Sequence, residues 1–177
     1  GGGGLMGGIA TIARHMRPDI TIFGVQTELY PAMKLAIAGE DIVCGGETLA
    51  EGIAVKKPGA VTQPVISEHV DDVLLVDEQS LEWAVGTLVE QQRVVSEGAG
   101  AAGIAAIHQH RETFAGRKVG VVICGGNIDP RLLASILNRN MASDGRLARL
   151  RIDISDEPGM LAAITASISR CGGNIVE

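Results

Sequence analysis

Aromatic side chains are almost missing: one Trp, one Tyr and two Phe stand among 177 residues. That leaves little material for stacking platforms, and Trp83 and Tyr30 read as packing groups. Cysteine is scarce too. Cys44, Cys124 and Cys171 are odd in number and far from any CxxC or zinc spacing. The simplest expectation is reduced thiols in a cytoplasm. No run of 18 or more apolar residues occurs, so no membrane span is expected, and no signal peptide is visible. Basic residues are outnumbered 15 to 21, for a formal net charge of −6. An acidic surface argues against nucleic acid and anionic membrane as partners. The scattered His15, His69, His108 and His110 share no metal-site spacing with Cys or carboxylates. His108 and His110 fit a solvated helix end, and Lys56-Lys57 and Arg146, Arg149 and Arg151 read as surface charge.

What the chain does have is glycine, 24 residues of it, and a hydrophobic content of 46% against 20% charged. That balance belongs to a globular protein able to bury a core. The chain opens on four glycines and stops inside the apolar run Ile175-Val176. Both ends look cut, so a piece of a longer polypeptide is expected.

After the glycines, Ile9, Ile12, Ala13 and Met16 recur at helical spacing, and Pro18-Asp19 ends that helix. Ile20 to Val25 reads as a buried strand. Pro31 suits the first turn of a helix that runs to Ala38 and stops at Gly39. Residues 40–60 are less regular, with Cys44 to Glu47 as loop. Val73 to Val76 is a short strand. Asp77 is a candidate cap for a helix with Leu81, Ala84, Val85, Leu88 and Val89 on one face. Ala99 to His110 is an Ala-rich helix, Lys118 to Cys124 another buried strand, and Pro130 opens a helix carrying Leu132, Leu133, Ile136 and Leu137. Strands alternating with helices imply an α/β fold with a doubly wound parallel sheet. The pattern changes after Gly145. Leu147 to Ile154 reads as a partly alternating strand, Asp156-Glu157-Pro158-Gly159 as a turn into a helix, and Gly172-Gly173 as the lead into a further strand. This predicts a boundary with a larger unit over 1–145 and a smaller one over 146–177.

Four segments could carry chemistry. Gly1 to Gly4 and Leu5 open a helix, where N–H groups can converge on one anion and the helix end adds partial positive charge. The same glycines could be a flexible tail. Gly2, Gly4 and Gly7 also fit the dinucleotide fingerprint, with Glu28 near the place of a ribose-binding acid. Cys124-Gly125-Gly126-Asn127 ends a strand, where ligands bind in open α/β sheets; a buried structural cysteine is the plain alternative. Glu97-Gly98-Ala99-Gly100 precedes a helix, where Glu97 could equally be a cap or dipole partner. Gly52 of Leu49-Ala50-Glu51-Gly52 could allow close approach of a cofactor or simply end a turn.

In this order, GGGGLMGG, TLAEGIAVKKPG, EGAGAAG and CGGNID resemble the threonine ammonia-lyases, pyridoxal-phosphate enzymes of fold type II. VQTELYPAM is similar as well. Residues 147–177 resemble the opening strand and helix of an ACT regulatory domain. The resemblance implies that Gly1 to Gly4 and Leu5 hold the cofactor phosphate. It places Cys124 against the pyridine nitrogen, with Gly52, Glu97 and Gly125 around the cofactor. Many relatives have Ser at the position of Cys124, and either group leaves the ring nitrogen largely unprotonated. The implied reaction is β-elimination from L-threonine, and from L-serine, giving a 2-oxo acid and ammonia. An isoleucine or valine effector is implied at Asp156, Pro158 and Gly159, with a homo-oligomeric assembly. Two departures stand out. The family's Schiff-base lysine sits in a motif that none of Lys34, Lys56, Lys57 or Lys118 matches, so no catalytic base is assigned within this chain. Serine racemase relatives carry cation-binding acids where this chain has Gln26 and Ala32, so no metal is expected. Serine racemase or another amino-acid lyase, a dinucleotide-binding dehydrogenase domain and a bare amino-acid-binding module are the alternatives.

Overall fold

The computed structural model of the chain describes residues 1–176. Two parallel strands stand at its centre. β1, Phe23–Thr27, pairs with β2, Asp72–Val76, in the register Phe23↔Asp72 through Thr27↔Val76. Parallel neighbours need a crossover. Here α2 (Ala32–Ala38) and α3 (Thr62–His69) make it, joined by an irregular stretch with one 3-10 turn at Glu51–Ile53. Before β1 lies α1 (Gly4–Met16), packed on α3. After β2 come α4 (Glu78–Thr87), α5 (Gly98–Gln109), the short α6 (Arg111–Phe114), α7 (Pro130–Ser143) and α8 (Met160–Arg170).

Alternate residues of β2 face opposite ways, as the pleat requires. Val73 packs with Met33 of α2 and Ile66 of α3. Leu74 and Val76 face the main core instead, with Leu81, Ala84 and Val85 of α4 and Ala101, Ala102, Ala105 and Ala106 of α5. Helices therefore cover both faces of a parallel pair, the doubly wound arrangement expected. Alanines along α5 let its axis lie close to the strands. α4 begins where the sequence places it: the Asp77 carboxylate accepts the Ser80 N–H at 2.7 Å, a side-chain N-cap. Asp129 caps α7 in the same way, with Pro130 in the first turn. Its carboxyl is held below the usual range, first by the Arg131 N–H it accepts. At the far end of α1, Arg14 donates to the Ile20 carbonyl at 2.6 Å, to the His69 carbonyl at 3.1 Å and to Asp71 Oδ2 at 2.8 Å. Asp71 Oδ2 also accepts the Ile22 N–H at 2.7 Å, so one ion pair joins the entries of both strands.

Several expectations need correction. The first strand starts at Phe23, and Ile20 is exposed. Lys118 to Cys124 forms no strand and finds no ladder partner among the described residues, and Val119, Val122 and Ile123 are exposed rather than buried. An apolar run specifies a preference for burial, not the neighbour that satisfies its backbone. Leu147 to Ile154 forms no strand for the same reason, and neither does the stretch after Gly172-Gly173. On α1 the buried residues are Gly7 and Ala10, while Ile9, Ile12 and Met16 are exposed. Close packing on α3 selects the small face: a Cβ on Gly7 would already lie 3.5 Å from Val65. α3 forms where no helix is expected, although Val61, Val65, Ile66 and Val70 have helical spacing. None of the helices among the described residues is long and apolar enough to cross a membrane.

Leu81 is fully buried between β2 and α5. Leu81→Ala should destabilise the full-length protein that carries this chain by about 2–5 kcal/mol. Urea unfolding should show this as a lower midpoint at unchanged slope.

Candidate functional site

The glycine loop ends in a conformation that only glycine adopts easily. Gly3 has φ 91° and is the N-cap of α1, which has no side-chain cap and no acid in its first turn. A Cβ on Gly3 would also fall 2.7 Å from Thr62 Oγ1 and 2.8 Å from Ile66 Cδ1 and Met33 Cε. The first four N–H groups of a helix have no partner within it. Among the described residues, none of the N–H groups of Gly3, Gly4, Leu5 and Met6 is hydrogen bonded; the first satisfied is that of Gly7, on the Gly3 carbonyl at 2.8 Å. Uncapped donors at a helix end form an anion site. They suit a phosphate, which needs several donors on one side and no carboxylate beside it.

The other motifs meet this loop. Gly1 abuts the 3-10 turn, where its Cβ would lie 3.2 Å from Ile53 Cα and 3.4 Å from the Gly52 carbonyl. Gly52 in turn faces Glu97 Oε1, at 3.6 Å from its Cβ position, and Ala99. Glu97 packs directly on Gly125, which has φ 83° and no room for a Cβ against that carboxylate. The Glu97 N–H donates to the Gly125 carbonyl at 3.3 Å, and Ser96 Oγ lies 3.0 Å from the Glu97 carbonyl and 3.2 Å from that of Gly125. Gly100 lets the Cys124 carbonyl lie directly on α5, where any side chain would collide. Gly1 to Gly4, Leu5, Gly52, Glu97, Cys124 and Gly125 thus line a single cleft of about 770 Å³. Cys124 is an exposed free thiol there rather than a buried structural one. The Leu5 side chain is exposed, so the part of Leu5 open to an anion is its unbonded N–H.

Other candidates fall elsewhere. Asp156, Pro158 and Gly159 form the exposed turn before α8, with Gly159 as its N-cap at φ 89°, and none of them lines the cleft. Gln26 is buried and uses both ends of its amide internally, donating to the Tyr30 carbonyl at 3.1 Å and accepting the Lys34 N–H at 3.0 Å. Glu28 accepts from Gln109 Nε2 at 3.3 Å. Of the lysines, Lys34 is tied to Asp72 and the Val73 carbonyl, and Lys118 lies at the cleft wall. Trp83 stacks on His108 with ring centroids 3.8 Å apart. Desolvation there lowers the His108 pKa, and the Arg111 charge adds to the effect.

Sequence reasoning missed Glu78 as a support. Its Oε1 accepts Thr27 Oγ1 at 3.0 Å and Thr48 Oγ1 at 2.6 Å, and its Oε2 accepts the Leu49 N–H at 2.7 Å. One carboxylate thereby ties the end of β1 to the segment leading into Gly52. An acid at the first position of a capped helix looks like a plain dipole partner, and no local signal marks it as more.

Residues 1–125 match the family model described as pyridoxal-phosphate dependent enzyme. The chain belongs to this family. Across 178 aligned residues it is 38% identical to an L-threonine ammonia-lyase of Thermotoga maritima, an alignment covering 99% of this chain and 44% of that protein. Among solved structures, the processed form of threonine deaminase isoform 2 from Solanum lycopersicum superposes with a TM-score of 0.71 at 28% identity, over 82% of this chain and 40% of that one. Maize serine racemase gives a TM-score of 0.67 at 29% identity, over 78% and 45%. The chain spans less than half the length of these relatives. As a member of the pyridoxal-phosphate family the chain accounts for its four motifs together, which the dinucleotide fingerprint on Gly2, Gly4 and Gly7 does not.

The contact between Gly125 and Glu97 can be tested by stability. Gly125→Ala combines a positive φ with a collision, so its cost should exceed about 1 kcal/mol. In a Glu97→Ala background the collision is removed, and the two changes should couple by at least about 0.5 kcal/mol in a double-mutant cycle. Additive losses of stability would place Glu97 away from Gly125.

Proposed function

We propose that this chain is part of a pyridoxal-phosphate-dependent lyase that converts L-threonine, and L-serine, to a 2-oxo acid and ammonia. The observation that carries the reading is the convergence of the uncapped glycine loop with Gly52, Glu97, Cys124 and Gly125 on one cleft. The residues present fit the cofactor. The free N–H groups of Gly3, Gly4, Leu5 and Met6 would hold its phosphate. The Cys124 thiol would face the pyridine nitrogen, and Gly125 would let the ring lie close. When bound, the cofactor delocalises the electron pair left at the substrate Cα as the proton departs. The Cys124 thiol is neutral and donates weakly, so it leaves the ring a moderate electron sink, which suits rapid loss of a β-hydroxyl over a long-lived carbanion. Glu97 would border the ring, held by the Gly125 carbonyl and by the glycines that face it.

Similarity to an L-threonine ammonia-lyase over nearly the whole chain supports this substrate class. The likeness to a serine racemase keeps racemisation as the second reading. Assays on the full-length protein separate them, since 2-oxobutyrate from threonine supports the lyase and D-serine without keto acid supports the racemase. The three free thiols suit a reducing cytoplasm.

The phosphate assignment is tested at Gly4, because Gly3 has no room for any side chain, whereas a Cβ on Gly4 meets nothing within 4 Å. An acid in the first turn of a helix favours the helix by about 0.3–1 kcal/mol. The same carboxylate repels a phosphate by ~1 kcal/mol in water and ~4 kcal/mol near a protein surface. Gly4→Asp should therefore leave the cofactor-free protein as stable or slightly more so, and weaken pyridoxal phosphate binding by about tenfold or more. Unchanged affinity in equilibrium dialysis would put the phosphate elsewhere.

Residues 146–177 are proposed as the start of an amino-acid-binding regulatory unit, with the N–H groups of Asp156 and Gly159 at the turn receiving an effector carboxylate, since Pro158 has none and that of Glu157 is donated to Ser155. Gly159 ends that turn at positive φ and opens α8, the kind of helix end that binds carboxylates. Removing Leu147 onward from the full-length protein should leave threonine deamination intact and abolish its response to isoleucine or valine, an effect of about 1–3 kcal/mol in coupling. Kinetics with and without isoleucine decide, and a truncated enzyme that stays isoleucine-sensitive would contradict the assignment.

A further inference from the structure

We propose that Thr62 is a positioning residue for the glycine loop: its hydroxyl anchors the Gly2 carbonyl and so fixes the peptide plane that presents the Gly3 N–H to the phosphate. In a regular helical turn the carbonyl of residue i accepts the N–H of residue i+4. Gly3 obeys this, accepting from Gly7. Gly2, one residue earlier, does not accept from Met6. Its carbonyl is committed sideways to Thr62 Oγ1 at 2.5 Å and to the Gly59 N–H at 3.3 Å. Gly2 O and the Gly3 N–H belong to one planar trans peptide and point opposite ways, so anchoring the oxygen on Thr62 aims the Gly3 N–H away from that hydroxyl.

The geometry around Thr62 fits this task. A threonine hydroxyl has one proton to give. Gly59 O lies 3.2 Å from Thr62 Oγ1, but the shorter contact, to Gly2 O, takes it. Thr62 is the first residue of α3, so its backbone is fixed by a helix that packs on α1. Gly59 is required for the approach: a Cβ there would stand 2.7 Å from Thr62 Oγ1 and 3.1 Å from Gly2 O. This gives the Pro58-Gly59 turn, the end of a motif otherwise without a role, the work of bracing the loop from behind. The same oxygen forms part of the wall that excludes any side chain at Gly3. Thr62 does not line the cleft and acts through the loop.

The proposal rests on the assignment of the phosphate to this loop, and the test separates the two. Pyridoxal phosphate and pyridoxal, which lacks the phosphate, are titrated into cofactor-free full-length protein and followed by absorbance. Thr62→Val keeps the shape and removes the hydroxyl; Thr62→Ser keeps the hydroxyl; Thr62→Ala removes it without adding bulk. Loss of one hydrogen bond that orders the donors should weaken pyridoxal phosphate by up to about tenfold in the Val and Ala variants. Thr62→Ser should stay within about twofold of wild type, the scale of a bond retained in slightly altered geometry. Pyridoxal should bind all four proteins alike. Wild-type affinity for pyridoxal phosphate in Thr62→Val or Thr62→Ala would overturn the proposal, as would equal weakening of pyridoxal or failure of Thr62→Ser to rescue. A wild-type protein that binds both compounds equally would instead sink the phosphate assignment itself.

Discussion

A helix that begins without satisfying its own first donors is the constraint around which this structure is arranged. The N–H groups of Gly3, Gly4, Leu5 and Met6 are left open, with no capping side chain and no nearby acid in the first turn. In a plain surface helix a Ser or Asp cap would be worth about 1 kcal/mol, so the omission costs stability that an external anion can return. Gly3 at positive φ makes the turn, and Met33, Ile66 and Thr62 crowd its free face so closely that only glycine fits. Bare backbone thereby becomes a rigid row of donors.

Everything else in the site is a matter of bringing glycine against something. α5 carries no side chain at Gly100, so the segment ending in Cys124 can lie on it; Gly125 and Gly52 leave space for the Glu97 carboxylate. Two polar supports hold this packing in register. Glu78 ties β1 to the Gly52 segment through three hydrogen bonds, and Thr62 ties α3 to the glycine loop. The core under the cleft is built from short residues, alanines on α5 against Leu74 and Val76. That lets four chain segments far apart in sequence share one cleft with very few aromatic groups.

The parts that the sequence disclosed were those decided locally. Asp77 before a period of Leu81, Ala84, Val85 and Leu88 specifies α4 because cap and face both lie within a few residues. The glycine motifs were legible as one set through their order and family likeness, and the structure brings them together. Lys118 to Cys124 and Leu147 to Ile154 were misjudged because a strand is a relation between segments, and β propensity names no partner. The exposed Ile9, Ile12 and Met16 show a related gap. Apolar spacing finds a helix, but here the faces of Gly7 and Ala10 win the contact with α3, since small residues permit the closer approach. Thr62 and Glu78 left no trace, as each acts across more than 25 residues of chain on a backbone group.

A crystal structure of the full-length protein with pyridoxal phosphate bound tests the central claim most directly. The account predicts phosphate oxygens within about 2.7–3.2 Å of backbone nitrogens of the set Gly3, Gly4, Leu5 and Met6. It also predicts the Cys124 thiol next to the pyridine nitrogen, and Gly2 O still on Thr62. A phosphate held by side chains away from α1, or a ring nitrogen facing a carboxylate in place of Cys124, would contradict it.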